Sequence, residues 1–186
     1  MPSLNRRDCL AWAGGAAAAA MAGPLWAQPV QPVADAGAKS VMQPFVGVQP
    51  KAAAKRLISL SGALTEIIYL LGAEQLLVGS DTTSNYPEAA DKTPKVGYVR
   101  QLAAEGVLSL KPDTVIGTTE AGPPVVLQQI AQAGVTVALV QSDHSWDEVL
   151  RKIRLVGQAT GKQAQAEQLA QRLQTQWDQT QAQVRA

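Results

Sequence analysis

Tyr98 and Arg100, in the string Val96-Gly97-Tyr98-Val99-Arg100-Gln101-Leu102, are side chains whose chemistry could hold a metal chelate. A phenolate is a hard, anionic oxygen donor that suits ferric iron, and tyrosine is among the axial ligands that haem iron accepts. A phenol is neutral at physiological pH, so ligation needs the iron and a nearby cation or donor to stabilise the phenolate. Arg100 stands two residues on, and in an extended loop such residues project to the same side. The plainer alternative is that Tyr98 packs a loop against the fold and Arg100 is a surface charge. His144, in Ser142-Asp143-His144-Ser145, sits where a strand ends and a helix begins. An imidazole there could act as a base with Asp143 or Asp147, although a solvated loop position explains it more simply.

Composition narrows the chemistry further. The chain has 186 residues, 46% of them apolar, with 16 Lys and Arg against 15 Asp and Glu. That balance, with no basic run, argues against nucleic-acid binding, whose affinity comes largely from neutralising phosphates. With one His and one Cys, the chain has neither an internal disulfide nor a Cys/His zinc site. No G-x-S-x-G stands at a strand-to-helix turn, and neither G-x-G-x-x-G after the first strand nor G-x-x-x-x-G-K-[ST] occurs. Hydrolase, dinucleotide and nucleoside triphosphate signatures are therefore missing, and an enzyme is the weaker expectation.

The elements that must position Tyr98 begin only after a long preamble. Residues 1–27 read as an export signal: Arg6 and Arg7 precede an uncharged stretch rich in Ala and Gly, then small residues suited to cleavage after Ala22 or Ala27. The paired arginines fit the twin-arginine route, and the general secretory route fits as well. Removing the leader takes away Cys9 and leaves 14 basic and 14 acidic residues. Residues 28–55 carry Pro29, Pro32, Pro44 and Pro50 and are expected to be a flexible tether. From Arg56 the pattern alternates. Leu57 to Leu60 predicts a strand, and Leu64, Ile67, Ile68 and Leu71 a helix with Ser61 at its N-cap and Gly72 at its stop. Leu76 to Gly79 predicts a second strand, making a βαβ unit of a parallel sheet. The polar stretch from Ser80 to Gln101 is long enough to be a functional loop.

Beyond it, Glu105 to Leu110 predicts a short helix and Asp113 to Gly117 a strand. Pro123-Pro124 suits the first turn of a helix that stops at Gly134, and Val135 to Val140 reads as a β-branched strand. Ser145 and Glu148 form a capping-box spacing before a helix ending near Gly157 to Gly161. Residues 162–186 predict a long helix with Ala166, Leu169, Ala170, Leu173, Trp177, Thr180 and Val184 along one face. The domain expectation is thus a leader at 1–27, a tether at 28–55, an α/β lobe at 56–161 and a terminal helix at 162–186.

Tyr86-Pro87, then Pro94-Lys95-Val96-Gly97-Tyr98-Val99-Arg100-Gln101-Leu102, then Glu105 to Asp113, resemble the amino-terminal lobe of periplasmic substrate-binding proteins. The class is the helical-backbone one that serves ABC importers of haem, cobalamin and ferric siderophores. The Leu110-Lys111-Pro112-Asp113 string marks the wider class, and Gly97-Tyr98-x-Arg100-Gln101 resembles its haem (hemin) binding members. The resemblance implies a parallel α/β sheet flanked by helices and ending in a long interlobe helix; members of the class have two lobes, and the sequence departs from them in that no second βα unit is expected after that helix. It implies haem as transported ligand, Tyr98 as axial ligand to its iron, and Arg100 bonded to the phenolate or a propionate. Ser61, Gly62 and the Thr118 to Gly122 loop would line the ligand face. Glu105 matches the acidic residue that meets arginines of the inner-membrane permease, whose ATPase drives transport. The expected location is the periplasm, with no membrane span after cleavage. A siderophore or cobalamin protein of the same class is the alternative, and a small exported enzyme built on His144 the more distant one. An exposed apolar face at Leu169, Leu173 and Trp177 would favour self-association.

Overall fold

The computed structural model describes residues 47–185. The expected export signal and the tether up to residue 46 lie outside the described residues. Four short strands alternate with helices: β1 (Leu57–Ser59), α1 (Gly62–Leu70), β2 (Leu77–Ser80), α2 (Glu88–Asp91), α3 (Ala104–Ser109), β3 (Thr114–Thr118), α4 (Pro124–Gln132), β4 (Thr136–Val140), α5 (Trp146–Thr160) and α6 (Gln163–Arg185). The strands form one parallel sheet in the order β2-β1-β3-β4. The α/β sheet flanked by helices, closing on a long terminal helix, is the architecture the sequence predicts.

Alternation along the strands divides the core in two. Leu57, Ile116, Ala138 and Val140 point to the face covered by α1, α5 and α6. Ile58, Leu60, Val115 and Val137 point to the face covered by α3 and α4. Burial on both faces is what lets a parallel sheet read as near-continuous apolar runs, so the strands were legible as Leu57-Ile58 and Val135 to Val140. The chain steps outward from β1 to β2, then returns to the other side of β1 with β3. The crevice between β1 and β3, at the carboxyl ends of the strands, is therefore the topological switch point where ligands of open α/β sheets bind.

Helix ends follow their capping residues, with two exceptions. α4 opens on Pro124 at its first position, and α5 ends on Gly161 at φ 73°. Ser61 occupies the N-cap of α1 with extended backbone, but its hydroxyl caps nothing there. Gly157, expected near a helix stop, lies inside α5. A Cβ built on it would fall 2.5 Å from Ala166 Cβ, so glycine is what lets α5 and α6 approach. α6 buries Ala166, Leu169 and Ala170 in its first turns, while Val184 near its end is exposed. Trp146 and Trp177 stack with centroids 4.7 Å apart and planes 3° from parallel.

Of the expected tether, residues 47–55 run against the lobe. Val48 N donates to Val137 O at 2.8 Å and Ala54 N to Ala159 O at 2.7 Å. Lys55 N and Arg56 N both donate to Asp113 Oδ2, at 2.8 and 3.1 Å. Among the described residues, no helix is long and apolar enough to cross a membrane.

Candidate functional site

The loop between α2 and α3 carries Tyr98 to the carboxyl ends of the strands, and backbone bonds on both sides hold it there. Thr82 N donates to Gly97 O at 3.0 Å, and Gln101 N to Tyr98 O at 2.8 Å. On the other side, Gly122 N donates to Val99 O and Leu102 N to Gly122 O, each at 3.0 Å. Gly97 has φ 109°, a conformation open to glycine and strained for L side chains. Tyr98 follows it with 42% of its surface exposed, beside buried Val96 and Leu102. The motif thus places two apolar anchors in the core and leaves the phenol free between them.

Arg100 reaches across to the loop after β3, where its Nη2 lies 3.1 Å from Glu120 Oε2. Gly122 is buried, with its N–H and carbonyl both engaged by the Tyr98 loop, so it holds that loop in place. Ser61 and Gly62, half-buried, begin α1 after β1 at the same end of the sheet. A Cβ on Gly62 would lie 3.3 Å from Thr83 O, which shows how closely the start of α1 meets the loop after β2. The structure therefore sets Tyr98 and Arg100 on one segment braced by Gly122, turns the Arg100 side chain to Glu120, and places Ser61 and Gly62 on the adjoining loop. Glu105 stands exposed in the first turn of α3, just past Leu102.

Beneath these loops lies a buried polar chain that sequence reasoning did not single out. Thr65 Oγ1 bridges Ser59 Oγ and Ser84 Oγ, at 2.9 Å each. Ser84 Oγ donates to Asp81 Oδ1 at 2.6 Å. Lys95 Nζ donates to Ser80 Oγ, Ser84 O and Ala90 O, which uses all three ammonium protons and ties the long loop shut. The signal for it was slight: hydroxyl residues scattered through an apolar pattern.

The loop after β4 is organised by Glu148. Ser145 Oγ accepts from Glu148 N at 3.2 Å, as a capping box requires. The carboxylate reaches past Ser145, however, to Asp143 N at 2.8 Å and His144 N at 2.7 Å, with Ser142 Oγ at 3.2 Å and Lys152 Nζ at 2.6 Å. Burial alone would raise its pKa. The Lys152 hydrogen bond and the two backbone N–H groups outweigh that and hold it down to about 2. Asp143 is taken up by Ser145 and Arg151, and the Ser145 hydroxyl is the chief reason its carboxyl sits below the ordinary value. His144, at φ 56° and with its side chain 82% exposed, faces Glu120 Oε1 at 4.0 Å. The dyad that an enzyme built on His144 and Asp143 would need is thus replaced by separate engagements.

Among the described residues, no group of three His, Cys, Asp or Glu side chains could hold a bare metal ion. A cavity of about 550 Å³ opens at the opposite, amino-terminal end of β3 and β4, lined in part by Lys51, Lys55, Asp113 and Thr136, and shares no residue with the Tyr98 face. The face itself is an open shelf of loops at the switch point of the sheet.

Such a lobe, with its loops gathered at the strand ends and Tyr98 exposed among them, has the architecture of the substrate-binding class. The chain belongs to the periplasmic binding protein family, whose model matches residues 57–186. It is similar in structure to a periplasmic haem-binding protein, BhuT, solved with two haems, at 42% identity and a TM-score of 0.64 over 68% of this chain and 48% of that one. It is likewise similar to the periplasmic haem-binding protein RhuT from Roseiflexus sp. RS-1, at 44% identity and a TM-score of 0.63 over 66% of this chain and 47% of that one. The vitamin B12-binding protein of Yersinia pestis is 32% identical over 66% of this chain and 43% of its own length. The chain therefore spans less than half the length of each of these relatives. All three are binding proteins by description.

Proposed function

We propose that this chain forms the amino-terminal lobe of the haem-binding component of an ABC importer, exported to the periplasm by the leader at 1–27 through the twin-arginine or the general secretory route. Ferric haem is captured through the Tyr98 phenolate, and Arg100 supplies the positive charge that favours the phenolate or meets a propionate. The observation that carries this reading is the half-exposed Tyr98 set between two buried anchors at the switch point, with Arg100 on the same loop. Ser61 and Gly62 flank the shelf, and Gly122 supports it from below. Glu105 meets the inner-membrane permease, whose ATPase drives transport; its place in the first turn of α3 also suits the helix dipole. The domain reading that goes with this is a lobe over 56–161 and an interlobe-type helix over 162–186.

Hemin added to the purified protein is expected to give a ferric phenolate-type absorbance spectrum that Tyr98→Phe removes. A spectrum unchanged in that variant would sink the ligand assignment. Cobalamin is the second reading, favoured by the Yersinia pestis relative. It predicts saturable binding of cyanocobalamin, no hemin spectrum and indifference to Tyr98→Phe.

A further inference from the structure

The cations at the ligand end of the sheet are not equally available. Lys95 spends its three protons on the loop beneath, Lys152 is bound to buried Glu148, and Arg151 is bound to Asp143 and to Gln141 O. Of the three that are ion-paired, Arg100 is the most exposed, and its partner Glu120 stands on the loop after β3 that braces the Tyr98 segment. The two side chains are 59% and 38% exposed, so water and solutes reach both. The backbone under Glu120 is fixed: Thr119 N donates to Val140 O at 2.9 Å, Ala121 N to Thr118 O at 3.0 Å, and Gly122 N to Val99 O at 3.0 Å. Glu120 is thus an anion held by the fold at the position where a ligand carboxylate would approach Arg100. Its second oxygen faces His144 Nε2 at 4.0 Å, which offers the side chain somewhere to turn when displaced.

We propose that Glu120 is a specificity-determining counter-ion, which a ligand carboxylate must displace from Arg100 before it can be bound there. This rests on the haem reading above, with the propionates as the incoming carboxylates. Such an exchange swaps one Arg–carboxylate pair for another, so Arg100 contributes only the difference between them. A ligand without a carboxylate cannot make the exchange and leaves the internal pair intact. Glu120 therefore lowers affinity for every carboxylate ligand while reserving Arg100 for one that is otherwise well anchored, as haem is by its iron.

The test titrates hemin and hemin dimethyl ester, by absorbance, into the full chain and its Glu120→Gln, Arg100→Met and doubly substituted forms, at low and at high salt. An exposed ion pair of this kind predicts that Glu120→Gln binds hemin roughly twofold to fivefold more tightly. The gain should vanish with the dimethyl ester, vanish when Arg100 is also Met, and shrink at high salt, where surface charges are screened. Unchanged or weaker hemin binding in Glu120→Gln would overturn the proposal, as would an equal gain with the ester or in the Arg100→Met background. A wild-type chain with no saturable hemin signal would instead refute the haem reading, and this proposal would fall with it.

Discussion

Replacing Glu148 with Gln should destabilise the lobe through one identifiable set of contacts. The carboxylate accepts from Asp143 N and His144 N on one oxygen and from Lys152 Nζ and Ser142 Oγ on the other. An amide has one acceptor oxygen, and its NH2 would face either two backbone donors or an ammonium group. At least one set of buried donors then loses its partner. A lost hydrogen bond to a charged group costs about 1.5–3 kcal/mol, and opening a buried ion pair about 3–5 kcal/mol, so a loss of about 3 kcal/mol at pH 7 is expected. For a domain of this size that lowers the unfolding midpoint by roughly 10 °C. Glu148 titrates at about 2 when folded, against 4.5 for an ordinary glutamate. The unfolded chain binds the extra proton between those values. The stability that the carboxylate supplies is therefore complete above about pH 4.5 and is lost as the pH falls towards 2. Urea unfolding of both proteins at pH 7 and pH 3 should show a gap that narrows at the lower pH. A difference under about 1 kcal/mol at pH 7, or one that does not narrow, would refute the reasoning.

Gly97→Ala forces an L side chain to φ 109° and should cost about 1–2 kcal/mol while weakening hemin binding, because the strain falls on the residue before Tyr98; wild-type affinity would show that the loop adapts. Gly157→Ala drives a methyl to within 2.5 Å of Ala166 Cβ and should lower stability by about 1–3 kcal/mol in urea unfolding, with partial rescue by Ala166→Gly. No rescue would place the strain elsewhere. Glu105→Arg should impair haem-dependent transport in cells while the purified protein keeps its hemin spectrum, whereas loss of the spectrum would assign Glu105 a structural role.

Most of the sheet was legible because the central strands β1 and β3 are buried throughout and the edge strands largely so, and each therefore appears as a short apolar run. Gly157 shows where such reading fails. A glycine that ends a helix and one that lets two helices touch look alike in sequence, and only Ala166 at its side tells them apart. Ser145 and Glu148 were readable as a capping box, yet the reach of the carboxylate to residues 143 and 144 depends on a loop that doubles back over the helix. Tyr98 and Arg100 were found through a local motif, whereas the bonds from Thr82 and Gly122 that hold their loop in place come from distant positions and were not legible. Glu120 was missed because its partner is 20 positions away in sequence, and the register of two neighbouring loops brings them together.

The stacked pair Trp146 and Trp177 also bears on how the molecule can be observed. The chain's other two indoles, Trp12 and Trp26, fall within the expected leader. With cleavage after Ala27, which removes Trp26 as well as Trp12, tryptophan fluorescence arises from one spot, where the first turn of α5 meets the middle of α6 and Trp146 Nε1 donates to Gln174 Oε1. The sheet carries no indole. Emission therefore follows the docking of the long helix beside the His144 loop and is silent about the strands, so a mismatch between fluorescence and circular dichroism on unfolding would report that helix detaching first.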